Sequence, residues 1–492
     1  MAIRRNSFVN LTGNLVGLVL FAALTPLYFH VIGSERYGIL AILWAFLSFF
    51  AAFDFGMGAA LTYRVASEAR GDVRRQADYF WTAMAISLPV GFVTGGILFG
   101  LVGGGVGNLF RLSPAVGAEM FHSAPALLAI GICTVLLSTG GGLLRGREYF
   151  VTNAVIAALA LALSILLPVL AALLISPSLD ILILATLAGR VIVVVATFAI
   201  AQIVVLAGSR PSMSRRSARS LIGYGAWSSV GGVIELAIIS ADRFIIGAAA
   251  GPAAVGYYSV PSSALARVMV FPTSIGGAAL PQLAARSPGE EVILARKIIK
   301  MVAMLTPCFV GGVFLADPFL RLWMGAAFAR VATLPMQILL PAFWLEAIGA
   351  ILFYRLLGQG RPKAIAAIAA IILLPYCALL YYLAGLWGVL GGAVGYLGRN
   401  LMFVTGRATV TRSWPMLIGA VGVDFALVLA ALAACLVAWP AQPPLAVAVI
   451  LTGISIAVAM KRRPPEFDKM VKDLIRRFGL HRGPAAAGDH DA

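Results

Sequence analysis

Residues 224–286 read YGAWSSVGGVIELAIISADRFIIGAAAGPAAVGYYSVPSSALARVMVFPTSIGGAALPQLAAR. Two apolar runs are joined by a short Gly/Pro turn around Gly251 and Pro252. Each run is long enough to cross a bilayer, which takes roughly 20 residues. Glu235, Asp242, Arg243 and Arg267 stand inside these runs. A charge at bilayer depth costs about 3 kcal/mol or more, so such residues face a partner or a wet cavity.

The rest of the chain has the same character. Of 492 residues, 61% are hydrophobic and 12% charged, with a mean hydropathy of +0.96. That charged fraction is about half of what a soluble domain carries. The expectation is an all-α polytopic membrane protein. Barrel strands are excluded, because the runs far exceed the roughly 10 alternating residues of such a strand. Helices are expected near 8–31, 38–61, 80–102, 123–144, 151–175, 180–207, 221–249, 255–283, 300–316, 332–354, 364–384, 387–406, 416–438 and 443–460, about fourteen in all.

The net charge of +17 does not point to nucleic acid, because the basic residues fall in alternate short loops. One such loop holds Arg64, Arg70, Arg74 and Arg75, another Arg210, Arg215, Arg216 and Arg219, and another Arg286, Arg296, Lys297 and Lys300. The intervening loops carry only Arg36, Arg111, Arg321 and Arg330. The positive-inside rule then places both termini in the cytoplasm and makes the number of spans even. The outer segments 103–122 and 317–331 have room for a reentrant turn or a short interfacial helix, not for a folded domain. The first apolar run is too long for a signal peptide and reads as a retained helix. Cys133, Cys308, Cys377 and Cys435 lie in or beside apolar runs without metal or disulfide spacing.

The opening hairpin has a faint copy at the N-terminus. Aligning 6–66 with 224–284 places Gly33 and Gly38 on Gly251 and Gly256, Phe53 on Phe271, Gly58 on Gly276, and Ala60 and Ala66 on Ala278 and Ala284. Both copies run inside to outside and back, so the repeats are parallel, with their axis along the membrane normal. This predicts two pseudo-symmetric six-helix lobes around a central cavity, residues 1–207 and 221–412. A basic cytoplasmic linker, 208–220, joins them, and two additional helices occupy 413–460. Over 461–483, apolar residues recur at helical spacing among lysines and arginines. That pattern predicts an amphipathic helix on an anionic inner leaflet, ahead of a disordered tail ending at 492.

No P-loop, HExxH or GxSxG motif is present, so neither an enzyme nor an ATP-driven pump is expected, and no cofactor or metal is implied. The candidate site is instead the set of intramembrane charges. Arg190, Arg243, Arg267 and Arg399 are the substrate-binding candidates, because a guanidinium offers phosphate a fixed fork of donors and stays charged. Asp54, Glu235, Asp242, Glu346 and Asp424 are candidates for binding a coupling ion or for balancing the arginines.

The segments NLTGNLVGLVLFAALTPLYFHVIGSERYGILAILWAFLSFFAAFDFGMGAALTYRVA and ISADRFIIGAAAGPAAVGYYSVPSSALARVMVFPTSIGGAALPQLA resemble the two signature regions of the polysaccharide (oligosaccharide) flippases. These are the Wzx-type transporters of the multidrug/oligosaccharidyl-lipid/polysaccharide exporter superfamily. Asp242-Arg243 followed by Gly251, Gly256, Tyr257 and Tyr258 carries the resemblance most specifically. The resemblance implies two lobes whose cavity opens alternately to each side of a bacterial inner membrane. It also implies flipping of undecaprenyl-pyrophosphate-linked sugar units for O-antigen, capsule or exopolysaccharide, with a polysaccharide polymerase and a chain-length regulator as partners. Of the four arginines, only Arg243 sits at a matched motif position. The two extra C-terminal helices are compatible with a lipid II flippase of the same superfamily. A cation-coupled drug antiporter would need an acidic cavity, and a membrane glycosyltransferase would need catalytic acids in outer loops that hold few.

Overall fold

The computed structural model describes residues 2–52, 56–68, 72–103, 110–206, 209, 212–439 and 441–463. Every regular element among them is helical. Nine of these helices are long and apolar enough to cross a membrane, or ten if one bent pair forms a single span, against the fourteen expected. Large apolar side chains cover their outer faces: Leu174 is 79%, Ile203 73% and Val437 88% exposed. In water such a surface would drive association, whereas in a bilayer it is the solvated one. The predicted amphipathic helix over 461–483 lies outside the described residues beyond Arg463.

The chain forms two compact units. The first takes residues 1–267 with 320–335 and 369–396. It begins with α1 (Ala2–Ala52), a helix broken in direction at Gly33, where φ is 82° and ψ 166°. Then follow α2 (Met57–Ser67), α3 (Val73–Gly103), the short α4 (Pro114–His122), α5 (Ala124–Gly146), α6 (Phe150–Leu174), α7 (Leu179–Ile200), α8 (Arg215–Ala250) and α9 (Pro252–Ala266). α8 starts within the stretch read as linker, because Ser214 caps it by accepting from Arg216 N and Ser217 N. Glycine lets α3 and α5 approach closely: a Cβ on Gly131 would stand 2.5 Å from the Gly95 Cα.

A polar clamp ties α4 into this unit. Arg36 donates to both oxygens of Glu119, with Nε at 2.9 Å. Glu119 also accepts from the Leu179 backbone N–H at 2.8 Å, at the start of α7. Glu35 in turn accepts from Ser113 N and Oγ at the start of α4. The outer segment thus holds the short helix for which its length left room.

The second unit takes 268–319, 336–368 and 397–492. It opens with α10 (Val270–Ala284) and the amphipathic α11 (Pro288–Ala303). Next come α12 (Thr306–Met324), α13 (Ala326–Gly358), α14 (Pro362–Trp387) and α15 (Val389–Val410), each divided between the units, and then α16 (Trp414–Ala438) and α17 (Leu445–Lys461). The segment 317–331, with room for a reentrant turn or a short interfacial helix, is instead the end of α12 and the start of α13, joined at Gly325 (φ 88°). α12 runs through Asp317 and Arg321 to Met324.

Within this unit a buried ion pair docks α11. The Nε of Arg355 lies 3.1 and 3.0 Å from the two oxygens of Glu291. Arg355 also donates to Ser413 Oγ, and Gln359 donates to Glu291. A charge pair this deep is tolerable because each partner finds further hydrogen bonds.

Candidate functional site

The first unit encloses a cavity of about 320 Å³. Its walls come from α1, α6, α8 and α9, so the opening hairpin of the sequence argument and its N-terminal copy both build it. α1 supplies Tyr28 ahead of its kink and Tyr37, Trp44 and Ser48 after it. α8 contributes Ser240 and Arg243, and α9 contributes Ser259 and Ser263, with Arg267 just past its end. Among the described residues that line the cavity, none is acidic.

The two arginines are held differently. Arg243 Nη1 lies 3.6 Å from Asp242 Oδ1, and its side chain stays partly exposed toward the cavity. Arg267 rests on the ring of Phe21, with its guanidinium carbon 4.2 Å from the centroid. A ring face holds a cation without consuming its N–H donors. Tyr37 meets Tyr28 and Trp44 edge to face, with centroids 6.1 and 6.0 Å apart, and so stiffens one wall.

Three polar atoms on this cavity are buried and have no hydrogen-bond partner among the described residues: Tyr28 Oη, Ser259 Oγ and Arg267 Nε. Leaving such a group unpaired costs about 1–3 kcal/mol each. The arrangement therefore suits a polar, anionic occupant, or water that such an occupant displaces.

The other expected residues lie elsewhere. Asp242 is 3% exposed and does not line the cavity. Its Oδ2 accepts from Tyr258 Oη at 2.9 Å and its Oδ1 from the Arg243 backbone N–H, so it fastens α8 to α9. Arg190 donates to Thr134 Oγ1 at 3.0 Å, joining α7 to α5. In the second unit Arg399 lies 3.6 Å from Glu346, and Asp424 lies 3.1 Å from Arg462 at the C-terminal end of α17. Asp54 and the side chain of Glu235 fall outside the described residues.

The structure thus brings Arg243 and Arg267 together and leaves Arg190 out of their cavity. A search for charges misses Tyr28, Ser259 and Phe21. A stripe search would have found part of the lining: Ser259, Ser263 and Arg267 recur every fourth residue, and Ser240 precedes Arg243 by three.

The family model for "Polysaccharide biosynthesis protein" matches residues 31–333, which take in the α1 kink, Arg243 and Arg267. The chain belongs to this family. As a polysaccharide biosynthesis protein it is similar to a Shigella flexneri protein named "Putative O-antigen transporter", 23% identical over 413 residues, covering 82% of this chain and 96% of that one. It is also 23% identical, over 430 residues, to an uncharacterized membrane protein, EpsK, of Bacillus subtilis (strain 168), covering 81% of each. Two solved structures share its fold. The lipid II flippase MurJ in an inward closed conformation superposes with a TM-score of 0.67 at 13% identity, over 95% of this chain and 99% of that one. An inward-facing MATE family transporter of the MOP superfamily gives 0.60 at 17%, over 82% and 98%. This polysaccharide biosynthesis protein accordingly shares the all-helical fold of those two structures, with nine or ten helices among its described residues long and apolar enough to cross a membrane.

Proposed function

We propose that the protein flips undecaprenyl-pyrophosphate-linked sugar units across the bacterial inner membrane by alternating access, supplying O-antigen, capsule or exopolysaccharide synthesis. The observation that carries this reading is the cavity of the first unit. Arg243 and Arg267 face it together with the unpartnered hydroxyl groups of Tyr28 and Ser259, and no carboxylate is among its described lining residues. Paired guanidinium groups suit a pyrophosphate, and the hydroxyl groups of Tyr28 and Ser259 suit the sugars beside it. Among the described lining residues a drug cation finds no acidic partner.

In this reading the halves 1–207 and 221–412 rock about the site, the sugars occupy the cavity, and the lipid tail stays in the bilayer. The alternation of loop charge supports cytoplasmic termini. A polysaccharide polymerase and a chain-length regulator are the partners that would receive the flipped unit.

The test is complementation of a deletion strain with Arg243→Ala, Arg267→Ala and the double variant, each checked for membrane abundance equal to wild type. Surface polymer should fall at least tenfold in the single variants and vanish in the double. Full restoration by the double variant would remove the arginines from the mechanism.

A further inference from the structure

α1 carries Pro26 inside its apolar run. Proline has no backbone N–H, so the carbonyl of Ala22, one helical turn back, loses its donor within the helix. Trp323, close to the end of α12, supplies one: its Nε1 donates to the Ala22 carbonyl oxygen at 2.6 Å. Ala22 lies on an exposed stretch of α1. In lipid no water would replace that donor, so the helix depends on the indole.

The same side chain reaches the cavity of the first unit at one remove. The Trp323 ring packs against Phe21, the neighbour of Ala22, with centroids 5.8 Å apart and planes at 51°. Phe21 is buried, lines the cavity and carries the Arg267 guanidinium on its face. Among the described residues no hydrogen bond is made to Arg267, so the ring is what orients it. Trp323 is not among the lining residues.

The turn between α12 and α13 seats the indole against α1. A Cβ on Gly325 would stand 3.6 Å from His30 Nε2, and Phe328 meets Phe29 edge to face with centroids 4.9 Å apart. All of these residues belong to the first unit.

We infer that Trp323 is a positioning residue for substrate binding: it holds α1 at the Pro26 gap, braces the Phe21 ring and so aims the Arg267 guanidinium into the cavity. The inference rests on the proposal that this cavity takes the pyrophosphate. Two substitutions separate the two contacts. Trp323→Phe keeps a ring against Phe21 and gives up the N–H, whereas Trp323→Leu gives up both.

The test measures the affinity of the purified full-length protein for a farnesyl-pyrophosphoryl hexose by calorimetry in detergent, well below the unfolding temperature of each variant. Trp323→Leu should bind about five- to tenfold more weakly than wild type, and Trp323→Phe about two- to threefold more weakly. In an Arg267→Ala background Trp323→Leu should cost nothing further, whereas in an Arg243→Ala background it should cost as much as in wild type. A role in packing alone would give the same loss in both backgrounds. That result, or wild-type affinity in Trp323→Leu, would overturn the inference while leaving the reading of the cavity intact. Absence of binding by wild type would overturn the reading of the cavity, and the inference with it.

Discussion

Gly38 and Gly256 close the same contact from opposite sides. A Cβ on Gly256 would stand 2.6 Å from the Ser34 carbonyl oxygen, and one on Gly38 would collide with the Pro252 carbonyl oxygen. Under the alignment that pairs Gly33 with Gly251, Gly38 pairs with Gly256 and Ser34 with Pro252. The contact is therefore reciprocal, as an approximate twofold axis requires. Gly33 and Gly251 have nearly the same backbone as well, φ 82° and 86° with ψ 166° in both.

Adding a side chain at this contact should be costly. Gly38→Ala and Gly256→Ala are each expected to destabilise the protein by about 1–3 kcal/mol through overpacking against backbone. Thermal unfolding of the purified protein in detergent measures this, and a variant as stable as wild type would contradict the contact.

The position of Arg267 over Phe21 predicts that charge alone does not suffice. Arg267→Lys keeps the charge and loses both the donor fork and the planar stack. It should lower transport about tenfold at unchanged membrane abundance. Phe21→Leu, which removes only the ring, should give a smaller loss, in line with a cation–π contribution of roughly 0.5–2 kcal/mol. Polymer yield per molecule of transporter reads both.

Asp242 and Tyr258 should behave as one structural unit. Asp242→Ala removes the carboxylate that accepts from the Tyr258 hydroxyl, and Tyr258→Phe takes a donor from a buried carboxylate. Each should cost about 1.5–3 kcal/mol, with the double variant less destabilised than the sum of the two. Additive losses in a double-mutant cycle would show that the pair does not hold α8 to α9.

The Arg36–Glu119 clamp predicts a pH response. The Arg36 hydrogen bond, aided by the Leu179 N–H, holds the Glu119 carboxyl below its ordinary value of 4.5. A carboxyl whose folded-state pKa is depressed adds stability that is present above the unfolded value and is lost as pH falls through the folded one. Wild type should therefore lose stability below about pH 4.5 more steeply than Glu119→Gln, with no divergence between them from pH 6 to 8. Unfolding temperatures measured across that range decide it.

The membrane class, the helical architecture and the turn at Gly251 were legible in the sequence. They depend on long apolar runs and glycine turns, which act locally. The kinks at Gly33 and Gly251 follow from the same local rule. The run expected as one helix over 255–283, by contrast, is broken between Ala266 and Val270, with a bend of 44°. Charge depth alone was a poorer guide to the site. It grouped Arg190, Arg243, Arg267 and Arg399 as equals, yet of these only Arg243 and Arg267 line the cavity of the first unit. Asp242 and Arg243 are neighbours, and a step along a helix turns a side chain by about 100°, so the sequence did not require them to pair; the structure places them 3.6 Å apart.

What the sequence by itself determined is that this chain crosses a membrane many times and buries charge in a repeated hairpin. The cost of charge and of bare backbone in lipid leaves few alternatives. Tertiary structure alone decided that Asp242 faces Tyr258 in the core while Arg243 faces the cavity with Arg267, Tyr28 and Ser259. That division depends on which helix packs against which face, and residues far apart in the chain set it.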